Sequence, residues 1–357
     1  MGETKYPRLQ IDLNKITHNT KRLVEICDSL GVEIVGVNKV TSASLETAQA
    51  LVDGGVKIIG ESRIESLELL KDIKAEKMLL RLPMISNAEE VVRYADISLN
   101  SEIETIKELS KEALKRNIIH RIILMIDVGD LREGIFDEEE ILLIVEEILK
   151  LKGIKLIGLG TNLSCFGGVL PSIENLEKLV VLKKKIKEEF NVDISTLSGG
   201  NSSSFHLIQK EKLPKGINQL RLGTALMLGT VEVTDSRIED TFIDAFKLTT
   251  EIVEVKKKPS KPIGDISLNA FGEVPHFDDK GDMIRAICAV GKQDVAIDWM
   301  TPFDKDITIL GGSSDHTILD ITNSKHTYKV GDKVDFYLNY IAILRAMDSK
   351  YLYREYI

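Results

Sequence analysis

The 357 residues are 43% hydrophobic and 29% charged, and 47 basic against 56 acidic side chains leave a net charge of −9. A chain of this length and apolar content builds a large barrel or two domains and is not disordered. The acidic balance lacks the basic face of a general nucleic-acid binder and weakly favours cationic small molecules. Three scattered cysteines without a CxxC signal neither a disulfide framework nor a zinc site, and no apolar run nears the ~18 residues of a membrane span. The opening MGETKYPRLQ has no apolar targeting core. These bounds predict a cytoplasmic enzyme that handles a small molecule without a membrane.

Taken in chain order, an opening helix over Asn14–Leu30 precedes eight β-rich runs. They are Glu33–Val37, Lys57–Gly60, Lys77–Arg81, Asp96–Leu99, Arg121–Asp127, Lys155–Gly160, Asp193–Ser198 and Gln219–Leu222. Amphipathic stretches alternate with them, such as Ser101–Asn117, Asp137–Leu151 and Ser172–Asn191, and Ser101 with Glu104 reads as a capping box. Eight strands within ~220 residues predict a (β/α)8 barrel over residues 12–238, with a doubly wound open sheet as the competing form. Beyond it the long helical period is lost. Runs at Phe242–Val255, Ile284–Val290, Asp294–Ile297, Thr308–Leu310, His316–Leu319 and Lys333–Tyr340 predict an all-β domain over residues 239–357, joined by residues 1–11. The KKKPSKP stretch of residues 256–262 reads as a solvated hairpin tip.

In a parallel barrel the chemistry sits at the C-terminal strand ends. Five polar loops meet that rule: Lys39 after the first strand, 127–132 after the fifth, Thr161 and Asn162 after the sixth, 198–204 after the seventh and Arg221–Thr224 at the eighth. Lys39 is either a desolvated amine nucleophile or a snorkelling strand-end lysine. Ser202 and Ser203 with Gly223 and Thr224 form either a divided phosphate cradle or two ordinary turns. Arg221 needs a fixed acceptor, a pyridine nitrogen or a structural carboxylate, and Arg132 serves a phenolate or carboxylate or faces solvent. The six histidines show no HxxxH or HxH spacing, so no metal is expected.

With these residues in place the chain resembles the alanine racemase-like, fold-type III pyridoxal-phosphate (PLP) enzymes. The resemblance spans nearly the whole chain. It is carried by LQIDLNKITHN at 9–19, VNK at 37–39, DVGDLR at 127–132, LRLG at 220–223 and YLNY at 337–340. Four phrases are similar to the ornithine racemase-type branch: GTNLSCFG at 160–167, SGGNSS at 198–203, VGKQD at 290–294 and LRAM at 344–347. The resemblance implies PLP on Lys39, with Asn162, Ser202, Ser203, Arg221, Gly223, Thr224 and Tyr340 binding the cofactor. It implies Lys39 and Arg132 as catalytic groups and a homodimer whose β domain supplies a second base, drawn from Cys288, His276 and Asp294. The implied reaction is two-base racemisation of an amino acid, ornithine first.

Departures from alanine racemase are Ala43 where that family carries a tyrosine, Met125 at a carbamylated-lysine position, Asn162 at a ring-stacking histidine and no tyrosine in 266–279. Three other readings are an alanine, serine or lysine racemase, a decarboxylase of the same fold, and a PLP-homeostasis carrier, whose GEN turn is similar to the GESR of residues 60–63. A sugar-phosphate barrel without PLP is a fourth.

Overall fold

The computed structural model describes residues 5–269 and 271–357. The chain divides into two compact units. Leu13–Ile243 form one, and Asp244–Ile357 with the N-terminal segment through Asp12 form the other. The division falls a few residues beyond the expected boundary at 238.

In the first unit, strand β2 (Glu33–Val37) is followed by β3 (Ile58–Glu61), β4 (Glu76–Leu79), β5 (Ile97–Asn100), β6 (His120–Met125), β7 (Ile154–Gly160), β8 (Thr196–Asn201) and β9 (Gln219–Leu222). All pair in parallel, and β9 closes on β2, with Val35 opposite Arg221. This is the expected (β/α)8 barrel and not an open sheet. Helices α1 (Leu13–Asp28), α2 (Leu45–Asp53), α3 (Ile64–Leu69), α4 (Ala88–Tyr94), α5 (Ile103–Lys115), α6 (Glu138–Leu149) and α7 (Ile173–Phe190) belong to the same unit, with the short α8 (Phe205–Gln209) and α9 (Thr224–Leu228) after the last two strands. A small hairpin of β10 (Thr230–Val231) and β11 (Ser236–Arg237) ends it.

Strand β6 shows why these residues make a barrel. Its apolar run is buried on both faces, as a parallel strand between two layers requires. Ile122 and Leu124 pack with helix residues such as Ile106, Leu109 and Val145, whereas Ile123 and Met125 pack with Val35, Ile58, Met78 and Leu99 from other strands. The buried stripe of α5, Thr105, Ile106, Leu109, Ser110 and Ala113, keeps the spacing of one helix face. The capping box does not form at its start. Glu102, not Ser101, is the N-cap and makes no side-chain cap bond. The reciprocal box belongs to α7, where Ser172 and Asn175 cap one another.

The second unit is an antiparallel sheet in the order β14 (Met300–Pro302), β17 (Lys333–Leu338), β12 (Phe246–Pro259), β13 (Asp282–Cys288), β16 (Thr317–Asp320), β15 (Thr308–Gly312). Strand β1 (Arg8–Ile11) pairs antiparallel to β12 and parallel to β18 (Tyr353–Tyr356). Three expectations are corrected here. Asp294–Ile297 is a turn running into a 3-10 helix, because backbone amides of 294 and 295 bond back to Gly291 O. Strand β17 stops at Leu338, and Tyr340 opens helix α10 (Tyr340–Asp348), capped by the Asn339 side chain at 3.1 Å from the Ala342 amide. The lysines of KKKPSKP lie mostly within β12, where Lys257 faces Asp282 at 3.0 Å, and the β12–β13 connection is a long loop instead of a tight tip.

At the N-terminal strand ends the barrel is closed by polar groups. His120, 2% exposed, shares a 2.8 Å hydrogen bond with Ser98 Oγ, and the Lys77 ammonium donates to the carbonyls of Ile73 and Ala75. Burial pushes the His120 pKa down from 6.5 to about 4. The native ring thus stays neutral where an unfolded one protonates. Its contribution is complete above the unfolded pKa and is lost as pH falls from 6.5 towards 4. His120→Gln is expected to flatten the fall in urea-unfolding midpoint across that window; wild-type and variant curves that run parallel contradict this.

Candidate active site

The C-terminal ends of β2, β6, β7, β8 and β9 bring the predicted loops to one rim. Lys39 starts the 3-10 turn Lys39–Thr41 directly after β2, and its side chain is exposed. The turn is held from below by Asn38, which is fully buried. Asn38 Oδ1 accepts the Thr41 and Thr47 hydroxyls at 2.6 and 2.7 Å, and its Nδ2 donates to Ser44 O at 3.1 Å. The turn leaves through Ser42 and Ala43, two successive non-glycine residues with φ of 50° and 58°. Such left-handed positions cost about 1 kcal/mol each, and they persist here because the Asn38 network over-determines the backbone.

Arg221 is 4% exposed. Its Nη1 donates to Ser198 Oγ and its Nη2 to Thr161 O, both at 2.6 Å. Burial pushes its pKa down to about 10, so it remains a cation at neutral pH. Neither partner is an anion, and the guanidinium keeps further N–H groups for another acceptor.

Arg132 does not face solvent alone. It clasps Glu133 with both Nε and Nη2, the latter at 2.6 Å from Oε1. Burial alone would raise the Glu133 carboxyl, but pairing with Arg132 and the nearby Arg221 hold it below its ordinary value. Asn162 Nδ2 reaches the same carboxylate at 3.2 Å. Asn201 then joins the loops. Its Nδ2 meets Asn162 Oδ1 and Leu163 O at 2.9 Å and Cys165 Sγ at 3.2 Å, while its Oδ1 accepts the Ser203 amide at 2.8 Å. Asp130, 2% exposed, anchors the loop after β7 by accepting amides of Ser164, Cys165, Phe166 and Val169.

Strand β8 runs through Gly200, whose φ of +105° favours glycine, and the serines follow it as the 3-10 turn Ser202–Ser204. Ser202 Oγ accepts the amides of Gly223 and Ala225 at 3.0 and 3.2 Å, tying the loops after β8 and β9 together. Thr224 hydrogen-bonds Glu232, a carboxyl whose pKa burial raises. Two buried hydroxyls in these loops, Ser203 Oγ and Thr161 Oγ1, have no hydrogen-bond partner among the described residues. Unpaired buried hydroxyls beside a buried guanidinium are the donors an anionic, heteroaromatic group requires. The residues present therefore fit PLP.

Lys39, Arg132, Asn162, Ser202, Ser203, Arg221, Gly223 and Thr224 thus all lie in the barrel unit at these strand ends. Four further groups were not singled out from the sequence: Glu133, Asn201, Asn38 and Glu61. The adjacent Arg-Glu pair at 132–133 was a readable sign of the first. Of the residues in the second unit, Cys288 is fully buried in β13 and burial pushes its thiol to about 12. Asp294 is buried and accepts the Ser349 hydroxyl at 2.8 Å. His276 lies exposed in the β12–β13 connection, and Tyr340 is half-buried at the start of α10. Met125 lies inside the barrel, and Ala43 is buried. Phe271 is exposed, with Lys292 Nζ 4.4 Å from its ring centroid.

The profile of the family described as alanine racemase, N-terminal domain, matches residues 11–231. The chain is 43% identical to the ornithine racemase of Acetoanaerobium sticklandii over 98% of its own length and 99% of that protein's. It is 41% identical to the lysine racemase of Thermotoga maritima over 98% of each. An alanine racemase structure from Clostridium difficile 630 superposes with a TM-score of 0.75 at 18% identity, covering 99% of this chain and 97% of that one, which bears on the fold alone. On the profile match and the two near-full-length relatives, this chain belongs to the alanine racemase family.

Proposed function

We propose that the chain is a PLP-dependent amino-acid racemase whose preferred substrate is ornithine, working in the cytoplasm as a homodimer. The racemase class and the cofactor follow from the family. The observation that carries the reading of the site is Arg221, a buried cation held only by neutral acceptors beside unpaired hydroxyls. Lys39 would hold the cofactor covalently, Arg221 would face its pyridine nitrogen, and Ser202, Ser203, Gly223, Thr224 and Tyr340 would receive its phosphate. Asn162 would lie against its ring. When bound, PLP supplies an electron-withdrawing ring that makes the Cα proton of an amino acid removable.

The chain's own groups do the rest. Lys39 Nζ, as a free amine, would take the Cα proton on one face. Arg221 stays protonated, so it donates hydrogen bonds and gives no proton to a ring nitrogen, which restrains side reactions. Arg132, pinned by Glu133, orients the substrate carboxylate. A proton must return on the opposite face. Cys288 and Asp294 are both committed to the interior of the β unit, which leaves His276 as the exposed member of the three, supplied by a second subunit.

Support for ornithine is steric, electrostatic and comparative. By the sequence resemblance, Ala43 and Phe271 stand near positions where alanine racemases carry tyrosines, which would leave more room beyond Cβ. The net charge of −9 and the acids Glu273, Asp278 and Asp279 favour a distal ammonium. The two near-full-length relatives, 43% and 41% identical, are an ornithine racemase and a lysine racemase.

Lys39→Ala is expected to abolish both racemisation and the borohydride-sensitive absorbance band near ~420 nm that a lysine-bound PLP gives. A band that persists in the variant assigns the cofactor elsewhere. Across L-alanine, L-serine, L-lysine, L-arginine and L-ornithine, kcat/KM is expected to be highest for ornithine; a value for alanine equal or greater contradicts the substrate assignment. Mixing Lys39→Ala subunits with His276→Ala subunits is expected to recover activity absent from either alone. Heterodimers that form and stay inactive contradict a shared site.

A further inference from the structure

Strand β3 ends on Glu61, beside the end of β2. The parallel register pairs Val37 with Gly60, which sets Asn38 and Glu61 next in line at the same rim. The Asn38 amide donates to Gly60 O at 3.1 Å. Glu61 is 1% exposed, and its Oε1 is sealed from solvent with no hydrogen-bond partner among the described residues. A bare buried carboxylate oxygen is costly, and an amide or apolar side chain of similar size would fill the space at less cost.

Asn38 has no capacity left to relieve it. Its Oδ1 already takes two hydroxyls and its Nδ2 serves Ser44 O and the Glu61 side chain. The Ser62 amide is the remaining donor to the carboxyl. Lys39 is the charged group acting on Glu61. Strand β4 sets Leu79 against it in register, and the nearby cations Arg63 and Arg81 are exposed. Burial pushes the Glu61 pKa to about 8, against the Ser62 amide, Asn38 and Lys39, which favour the anion. A carboxyl in this state exchanges its proton near neutral pH.

We propose that Glu61 is the proton partner of Lys39, a positioning residue that takes the proton the lysine amine gives up and returns it. This rests on the reading of Lys39 as the cofactor-holding lysine. In the exchange one Lys39 N–H bond breaks and one Glu61 O–H bond forms. An ammonium and a carboxylate become an amine and a carboxylic acid, the pair's net charge is unchanged, and no co-reactant is required. The amine is the form that attacks carbonyl carbon or accepts a proton from carbon, and the neutral acid is the form the buried site favours.

The test uses the PLP-loaded enzyme as wild type, Glu61→Gln and Glu61→Asp. Borohydride reduction with peptide mass mapping locates the adduct, and its absorbance is followed against pH beside kcat and KM. Glu61→Gln is expected to keep the adduct on Lys39 while its absorbance–pH midpoint moves by about one unit or more. Its kcat is expected to fall by about 10²-fold, the scale of a lost proton-transfer partner, with KM within about threefold. Glu61→Asp, which keeps a carboxyl one methylene back, should lie between the two. An adduct on Lys39 with an unmoved pH profile in either variant overturns the proposal and leaves the Lys39 reading standing. Wild type with no adduct on Lys39 overturns both. If Glu61→Gln does not fold, the Asp variant decides by the same midpoint. A residue that only packs would lower the unfolding midpoint and leave the pH profile in place.

Discussion

A guanidinium that is 4% exposed must have acceptors built around it before the chain can fold. Arg221 finds them in Ser198 Oγ, within β8, and Thr161 O, just past the end of β7. That requirement fixes the relative positions of β7, β8 and β9 at the rim, and β9 in turn closes the barrel on β2, one residue short of the Asn38–Lys39 turn. Because its partners are neutral, the charge is compensated through space by Glu133, itself held by Arg132. The site is therefore a charge arrangement first and a set of reactive groups second. Removing Glu133 would take away the anion nearest the buried Arg221 charge and leave Arg132 without its partner.

The rim gains rigidity from side chains that touch no reacting atom. Asp130 gathers four amides of the loop after β7, and Asn201 joins the loops after β7 and β8 with one amide group. Loops held this way behave as part of the scaffold, which is what placing a base to within a fraction of an ångström requires.

Much of this was legible in the sequence because both signals involved are local. A parallel strand buried on two faces reads as a short apolar run, and the helices between read as amphipathic stripes, so eight alternations define a closed barrel. The rule that chemistry sits at C-terminal strand ends then selects Lys39, Asn162 and Arg221 without any knowledge of distances. What failed was decided by contacts that spacing does not encode. Ser101 and Glu104 have the capping-box spacing, yet the helix starts one residue later. The β-like run from Lys333 reads as reaching Tyr340, yet the strand stops at Leu338 and the Asn339 cap opens a helix at Tyr340. Glu133 carries no motif of its own, and the GESR of residues 60–63 marks Glu61 only as part of a turn. Glu133 matters because an arginine beside it in sequence also faces it in space, and Glu61 because two parallel strands bring its carboxyl level with Asn38.

We propose that Arg221, a cation at neutral pH, faces the ring nitrogen of PLP. The measurement that tests it most directly is the ¹⁵N chemical shift of the ring nitrogen in enzyme loaded with ¹⁵N-labelled PLP at neutral pH. An unprotonated, hydrogen-bonded pyridine shift that moves to the pyridinium range in Arg221→Glu is the predicted result. A pyridinium shift in the wild-type enzyme would contradict the account.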